Sequence, residues 1–228
     1  MTLLADRLAR VRDAIAAAAA RSGRPAEAVR LVAVTKTVPV ETIAEAYALG
    51  VRDFGENRVQ EGQPKIAALA AHGIRPTWHF VGHLQTNKAA AALRCFDILQ
   101  SVDSLRLAET LSRRARGAPV RILLEVNVAG EPSKFGFRLD DPAQPFADAL
   151  AAIRALPGLV VEGLMTVAPL TDNPESVRPV FRRLAELAAA HGLAELSMGM
   201  TDDFPVAIEE GATMVRIGRA LFGERPPH

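Results

Sequence analysis

A single cysteine, Cys95, stands among the 228 residues. One thiol excludes a disulfide framework within the chain and any cysteine-based zinc site, and it fits a reducing, cytoplasmic compartment. Charge of one sign is lacking too. The formal net charge is +1, so partners recruited by bulk charge, nucleic acid among them, are not expected. No apolar run is long enough to span a bilayer. The alanine run Ala16 to Ala20 follows Arg7, Arg10 and Arg12 and could pass for a signal peptide, but Asp6 and Asp13 interrupt it. Leu4, Leu8, Val11 and Ile15 mark one face of an amphipathic helix, so a surface helix packed on the domain is expected instead. Internal repeats, low-complexity linkers and domain boundaries are absent, which leaves one domain over 1–228 with room for a substantial core.

Lysine is scarce as well: Lys36, Lys65, Lys88 and Lys134 stand against twenty-three arginines. A chain that uses arginine wherever it wants positive charge retains lysine for tasks that guanidinium cannot perform, and Schiff-base formation is one of them. Lys36 has the setting for it. Leu31-Val32-Ala33-Val34-Thr35 reads as a buried parallel strand, and Pro39 stops the chain soon after. Alternation puts Val32, Val34 and Lys36 on one face, so the amine stands on an apolar support where desolvation lowers its pKa. The plainer alternative is a solvated lysine at a strand end.

The rest of the chain alternates in the same manner. Strands are expected at Val51 to Phe54, Thr77 to Val81, Phe96 to Val102, Val120 to Val128, Leu159 to Val167, Leu193 to Met198 and Met214 to Ile217. Helices fall between them, at Glu41 to Leu49, Val59 to Ala71, Ala89 to Leu93, Ser104 to Arg113, Phe146 to Leu156, Val177 to Ala190 and Phe204 to Glu210, with a short one after Gly218. Eight strand–helix units in one domain is the count of a (β/α)8 barrel, a TIM barrel of the α/β class. A doubly wound sheet is the alternative, but the first strand ends in Thr35-Lys36-Thr37 with no G-x-G-x-x-G after it.

In such barrels the site lies at the carboxyl ends of the strands, with phosphate on the loops after strands seven and eight. Here those loops are Ser197-Met198-Gly199-Met200-Thr201 and Gly218-Arg219-Ala220. Each joins glycine, which lets backbone N–H groups approach closely, to a helix start, although either glycine alone could be a turn residue. Lysine on one side and phosphate across the mouth leave two ligand classes open, a sugar phosphate held as an imine and pyridoxal 5′-phosphate. Arg216, two residues before Gly218, either faces the ring or pairs with a carboxylate such as Glu125 or Glu162.

Val32-Ala33-Val34-Thr35-Lys36, Phe54-Gly55-Glu56-Asn57-Arg58-Val59-Gln60-Glu61, Trp78-His79-Phe80-Val81-Gly82-His83-Leu84-Gln85-Thr86-Asn87-Lys88, Gly163-Leu164-Met165-Thr166, Ser197-Met198-Gly199-Met200-Thr201 and Val215-Arg216-Ile217-Gly218 resemble, in order and spacing, one family. It is the pyridoxal phosphate homeostasis proteins, single-domain relatives of the alanine racemase barrel. The resemblance covers nearly the whole chain. It implies an alanine racemase N-terminal-domain-like barrel with pyridoxal 5′-phosphate as a Schiff base on Lys36, Asn57 beside the cofactor and Val34 among the residues that bind it. It further implies that Ser197 and Thr201, with backbone near Gly199 and Gly218, hold the phosphate. Arg216 would face the pyridine nitrogen, and Met165, Met200 and His83 would line the mouth. Lys134 matches a loop lysine linked to cofactor transfer. Thr201 stands where serine is also common, and Phe135 is bulkier than usual for that loop.

A fixed cation at the ring nitrogen keeps it unprotonated and stabilises a carbanion only weakly. Racemisation also needs acid–base groups on both faces of the ring, which the racemase relatives complete with a second domain, and Tyr47, the only tyrosine, falls in an early helix. The expectation is therefore a monomeric carrier and regulator in intracellular vitamin B6 and amino-acid homeostasis, with little or no turnover and with pyridoxal-phosphate-requiring apo-enzymes as partners. The alternatives are an amino-acid racemase and an imine-forming aldolase. No metal is expected: His79 and His83 could imitate a pair, but no third ligand follows at suitable spacing. Lys88 reads as a helix-start lysine, Ser101 and Asp103 as a helix cap in preference to rim residues, and Cys95 as a packed thiol.

Overall fold

The alternating pattern closes into a barrel in the computed structural model, which describes residues 2–224; Met1 and residues 225–228 of the expected domain lie outside the described residues. The strands are β1 (Arg30–Val34), β2 (Asp53–Glu56), β3 (Thr77–Phe80), β4 (Ile98–Val102), β5 (Val120–Asn127), β6 (Phe137–Arg138), β7 (Leu159–Met165), β8 (Glu195–Ser197) and β9 (Met214–Ile217). Parallel pairing runs β4-β3-β2-β1-β9-β8-β7-β5, and β4 pairs with β5 to close the ring. The two-residue β6, which the sequence pattern did not reveal, pairs with the far end of β5 outside the ring.

Between the strands lie α2 (Val40–Ala48), α3 (Val59–Ala71), α4 (Ala89–Cys95), α5 (Leu105–Arg114), α6 (Phe146–Arg154), α7 (Arg178–Ala190), α8 (Phe204–Glu209) and α9 (Arg219–Phe222). Strand bounds lie within two residues of expectation, and β9 coincides with it. β2 is displaced by two residues at both ends, and at β4 helix α4 continues through Cys95, so the strand begins at Ile98. The amino-terminal helix α1 (Leu3–Arg21) buries Leu4, Leu8, Val11 and Ile15, as its periodicity predicts, and Thr2 Oγ1 caps it by accepting from the Ala5 N–H at 3.2 Å.

Alternation divides the barrel residues into two sets. Residues such as Ala33, Phe54 and Leu124 join the large core between sheet and helices, whereas Val32, Leu123, Met165 and Met214 form a separate cluster on the barrel axis. Ion pairs Arg30–Glu195 and Arg121–Glu162 fall on the amino-terminal side of that cluster, and Thr213 Oγ1 donates to Glu195 at 2.6 Å. The axis is thus filled, and a ligand can enter only at the carboxyl-terminal mouth. Among the described residues no helix is long and apolar enough to cross a membrane.

Candidate functional site

Lys36 follows β1 by two residues, half-buried in a tight turn. Thr37, next to it, has φ +64°, a conformation that a β-branched residue adopts only under restraint. The restraint is visible. The Thr37 N–H donates to Glu61, while Lys65 Nζ donates to Thr35 O at 2.7 Å, to Glu56 at 2.9 Å and to Glu61 at 2.6 Å. Thr35 Oγ1 also donates to Glu56, at 2.7 Å. Glu56 is completely buried, and that burial raises its pKa against the opposing pull of Thr35 and Lys65. Lys65 is thereby explained: it clamps the turn that presents Lys36. Its scarcity was the one signal in the sequence that could have drawn attention to it.

Register carries the remaining residues to the same mouth. Val32 pairs with Arg216 and Val34 with Gly55, so Arg216 lies on the strand beside Lys36, and Asn57 two residues past Gly55 on the other side. Asn57 Oδ1 is buried and finds no partner among the described residues. Gly82 holds the Asn57 backbone in place, because a Cβ there would stand 2.2 Å from Asn57 O. Next, His83 pairs with Asp103 at 3.1 Å and stacks on Phe135 at 3.7 Å between ring centroids. Lys134, beside Phe135, donates to Val167 O at 3.2 Å and pairs with Glu131 at 2.6 Å. Two grooves, of about 530 and 420 Å³, open on either side of His83, the second also lined by Asn57.

Arg216 is buried, and three N–H bonds hold it: Nη1 to Ser197 O and Oγ, each at 2.7 Å, and Nη2 to Thr166 O at 2.8 Å. The pairing with Glu125 or Glu162 left open above does not occur as a contact; Glu162 is paired with Arg121 at 2.6 Å. Burial pushes the guanidinium pKa down to about 10, against the favourable fields of Glu125 and Asp203. Ser197, expected at the phosphate, is fully buried and gives its hydroxyl to Gln100 at 2.6 Å. In this structure it supports Arg216 from below; the strand pleat turns it inward, which the motif alone did not reveal.

The glycine loop itself is formed as expected. Gly199 adopts φ +91°, a Cβ there would meet Phe204 Cα at 2.8 Å, and its carbonyl accepts from the Arg216 N–H at 3.0 Å. Met200 N–H donates to Asp203 at 2.6 Å, and Thr201 Oγ1 accepts from the Ala220 N–H at 3.4 Å, which ties this loop to Gly218 at the start of α9. Met165 lies deeper than a rim residue, within the axial cluster.

Of the remaining residues, His79 is buried and bonds to Gln100 and Asp53, and no group of three metal-ligating side chains exists among the described residues. The cap of α5 is Ser104, and neither Ser101 nor Asp103 serves there; Asp103 is turned to His83, and Ser101 donates to Gly82 O. Lys88 directly precedes α4, and Cys95 is a half-buried free thiol whose pKa burial raises.

Glu125, at the carboxyl end of β5, was missed as a mouth residue. Burial, with a smaller contribution from Asp103, lifts its pKa from 4.5 to about 7 against the pull of Arg216. The native state therefore holds a proton that the unfolded chain has released, and stability falls as pH rises from about 4.5 through about 7. Glu125→Gln is expected to remove that fall. Urea unfolding should show the variant gaining about 1–2 kcal/mol on its parent at pH 8 and little at pH 4.

The fold and site define a single-domain barrel with a lysine, a buried arginine and a glycine-lined loop at its mouth. Residues 7–226 match the family model described as alanine racemase, N-terminal domain. The pyridoxal phosphate homeostasis protein of Aquifex aeolicus is 43% identical, over 96% of this chain and 97% of that protein. The one from Pseudomonas aeruginosa is 44% identical, over 99% and 97%. PipY of Synechococcus elongatus PCC7942, whose structure was solved with pyridoxal phosphate bound, superposes with a TM-score of 0.80 at 40% identity, covering 96% of this chain and 100% of that one. The chain belongs to the pyridoxal phosphate homeostasis protein family, within the alanine racemase N-terminal domain family.

Proposed function

We propose that this protein holds pyridoxal 5′-phosphate at the barrel mouth on Lys36 and serves intracellular vitamin B6 and amino-acid homeostasis as a carrier or regulator, with little or no turnover. The observation that carries the reading is the pairing of a clamped lysine turn with a buried, tightly held arginine on the adjacent strand. The buried, unpartnered Asn57 Oδ1 fits the same ligand, since a bound hydrogen-bond donor would satisfy it. The bound cofactor would supply an aldehyde for the Lys36 amine to close a Schiff base on, and an aromatic ring that can draw electrons.

This chain's residues then divide the work. Val34 and Met165 would exclude water from the cofactor. Arg216 would present positive charge to the ring nitrogen and keep a proton off it, which would weaken the electron sink. Gly199, Met200, Thr201 and Gly218 would hold the phosphate, Ser197 holds Arg216, and His83 with Phe135 forms a lip. The racemase alternative needs a proton-transferring group on each face. Tyr47, the only tyrosine, sits in α2 under Arg52, whose guanidinium carbon is 4.3 Å from the ring centroid, and is occupied there.

The test is the absorption spectrum after incubation with the cofactor, beside Lys36→Ala. The parent is expected to gain a visible band near ~420 nm that borohydride bleaches, and the variant to lack it. A colourless parent defeats the reading and returns the sugar-phosphate imine to consideration. Alanine racemisation faster than about 1 per second would defeat the carrier role.

A further inference from the structure

Behind Arg216 and Ser197 lies a chain of buried polar side chains to which the function above gives no task. Arg216 Nη1 meets Ser197 Oγ at 2.7 Å, and Ser197 Oγ meets Gln100 Oε1 at 2.6 Å. Gln100 Nε2 meets His79 Nδ1 at 2.7 Å, and His79 Nε2 meets Asp53 Oδ1 at 2.9 Å. Ser197, Gln100 and His79 have no solvent exposure at all. They run through the inside of the barrel from the mouth to Asp53 at the start of β2.

Chemistry fixes the direction of every link. Arginine has donors only, so Ser197 Oγ must accept from it and give its own proton onward. The acceptor of that proton is the Gln100 oxygen, which turns the Gln100 nitrogen toward His79. Gln100 Nε2 also donates to Met214 Sδ, a weak acceptor 3.6 Å away, so the reversed amide would set oxygen against sulfur. His79 Nδ1 must then be the accepting nitrogen, and Nε2 carries the proton and donates to Asp53. All donors point the same way, from a cation at the mouth to a carboxylate at the far end, an arrangement in which each bond polarises the next.

We propose that Gln100 and His79, anchored on Asp53, are positioning residues for Arg216, fixing where its guanidinium sits and which N–H groups it turns toward the mouth. The proposal rests on the reading of Arg216 as a cofactor contact. Without the chain, Ser197 is free to rotate its hydroxyl, and the arginine loses an acceptor whose lone pair is oriented toward it. Glu125 and Asp203 are the other charges acting on Arg216, and neither bonds to it.

Two measurements decide the matter. Titration of the visible band with pyridoxal phosphate should give Gln100→Leu a dissociation constant about tenfold weaker than the parent's, the loss expected when a buried hydrogen bond is broken and its partners are left unsatisfied. Glu162→Gln, which changes a carboxylate of the barrel interior outside the chain, should stay within about twofold. Equal affinity for Gln100→Leu and parent would overturn the proposal, as would an equal loss in Glu162→Gln. Nitrogen-15 spectra of the parent's histidines form the second measurement and require no variant to fold. His79 is expected neutral with its proton on Nε2 alone, and a proton on Nδ1 would overturn the chain. If the parent gains no band, the cofactor reading fails by itself, while the His79 tautomer still decides whether the chain runs as described.

Discussion

Replacing Gly163 with alanine is expected to cost the barrel about 3 kcal/mol or more, read as a fall in the urea midpoint with the slope unchanged. Gly163 pairs with Glu195 between β7 and β8. A Cβ at this position would stand 1.9 Å from Glu195 O and 2.5 Å from its carbonyl carbon. Neither atom belongs to a side chain that can swing aside, so the strands themselves must part. Parting them disturbs Met165 opposite Ser197, and with Ser197 the support of Arg216. Gly73→Ala and Gly192→Ala are the controls. Both sites have positive φ but nothing within 4 Å of the added carbon, so each should cost only about 1 kcal/mol from backbone strain. A Gly163→Ala midpoint equal to these controls would show that β7 and β8 are not packed so closely.

Lys65→Met is expected to be comparably damaging, by about 3–5 kcal/mol at pH 8, because it strips the partner from a buried carboxylate. Glu56 has no exposure and Lys65 little, at 0% and 11% of their side chains. Burial already raises the Glu56 pKa while Lys65 pulls it down, so losing Lys65 lifts it further. A carboxyl whose folded pKa lies above its unfolded value loses stability as pH rises through the folded pKa. The deficit of the variant should therefore shrink as pH falls and Glu56 takes up its proton. Adding Glu56→Gln should recover much of the loss at pH 8, since the amide oxygen still accepts from Thr35 without a charge to solvate. A deficit independent of pH would show that Lys65 acts by packing alone. The variant should also capture pyridoxal phosphate more weakly, because Thr35 and Thr37 on either side of Lys36 lose their clamp.

Much of this was legible along the chain because the information is local. Strand Leu31–Val34, the stiff apolar run before Lys36, could be read from residue type and alternation, as could the face of α1 marked by Leu4, Leu8, Val11 and Ile15. Both rest on periodicities that a backbone of fixed geometry imposes on any sequence. The glycine loops after β8 and β9 were legible by position, since a barrel carries its site at the carboxyl ends of its strands.

What the sequence determined by itself, then, is the barrel, its mouth and the lysine at its rim, each written in short-range pattern. The tertiary structure alone decided which polar side chains meet across the axis. Ser197 looks like a phosphate ligand in its motif, yet the pleat turns it inward onto Gln100, ninety-seven residues away. Arg216 could have paired with Glu125 or Glu162, yet ring closure gave it the carbonyls of Ser197 and Thr166. Lys65, Glu61 and Glu56 look like ordinary helix and strand charges until β2 and α3 bring them together around the Lys36 turn. Contacts of this kind depend on strand register and barrel closure, which fix distances between residues far apart in the chain and leave no periodic trace in it.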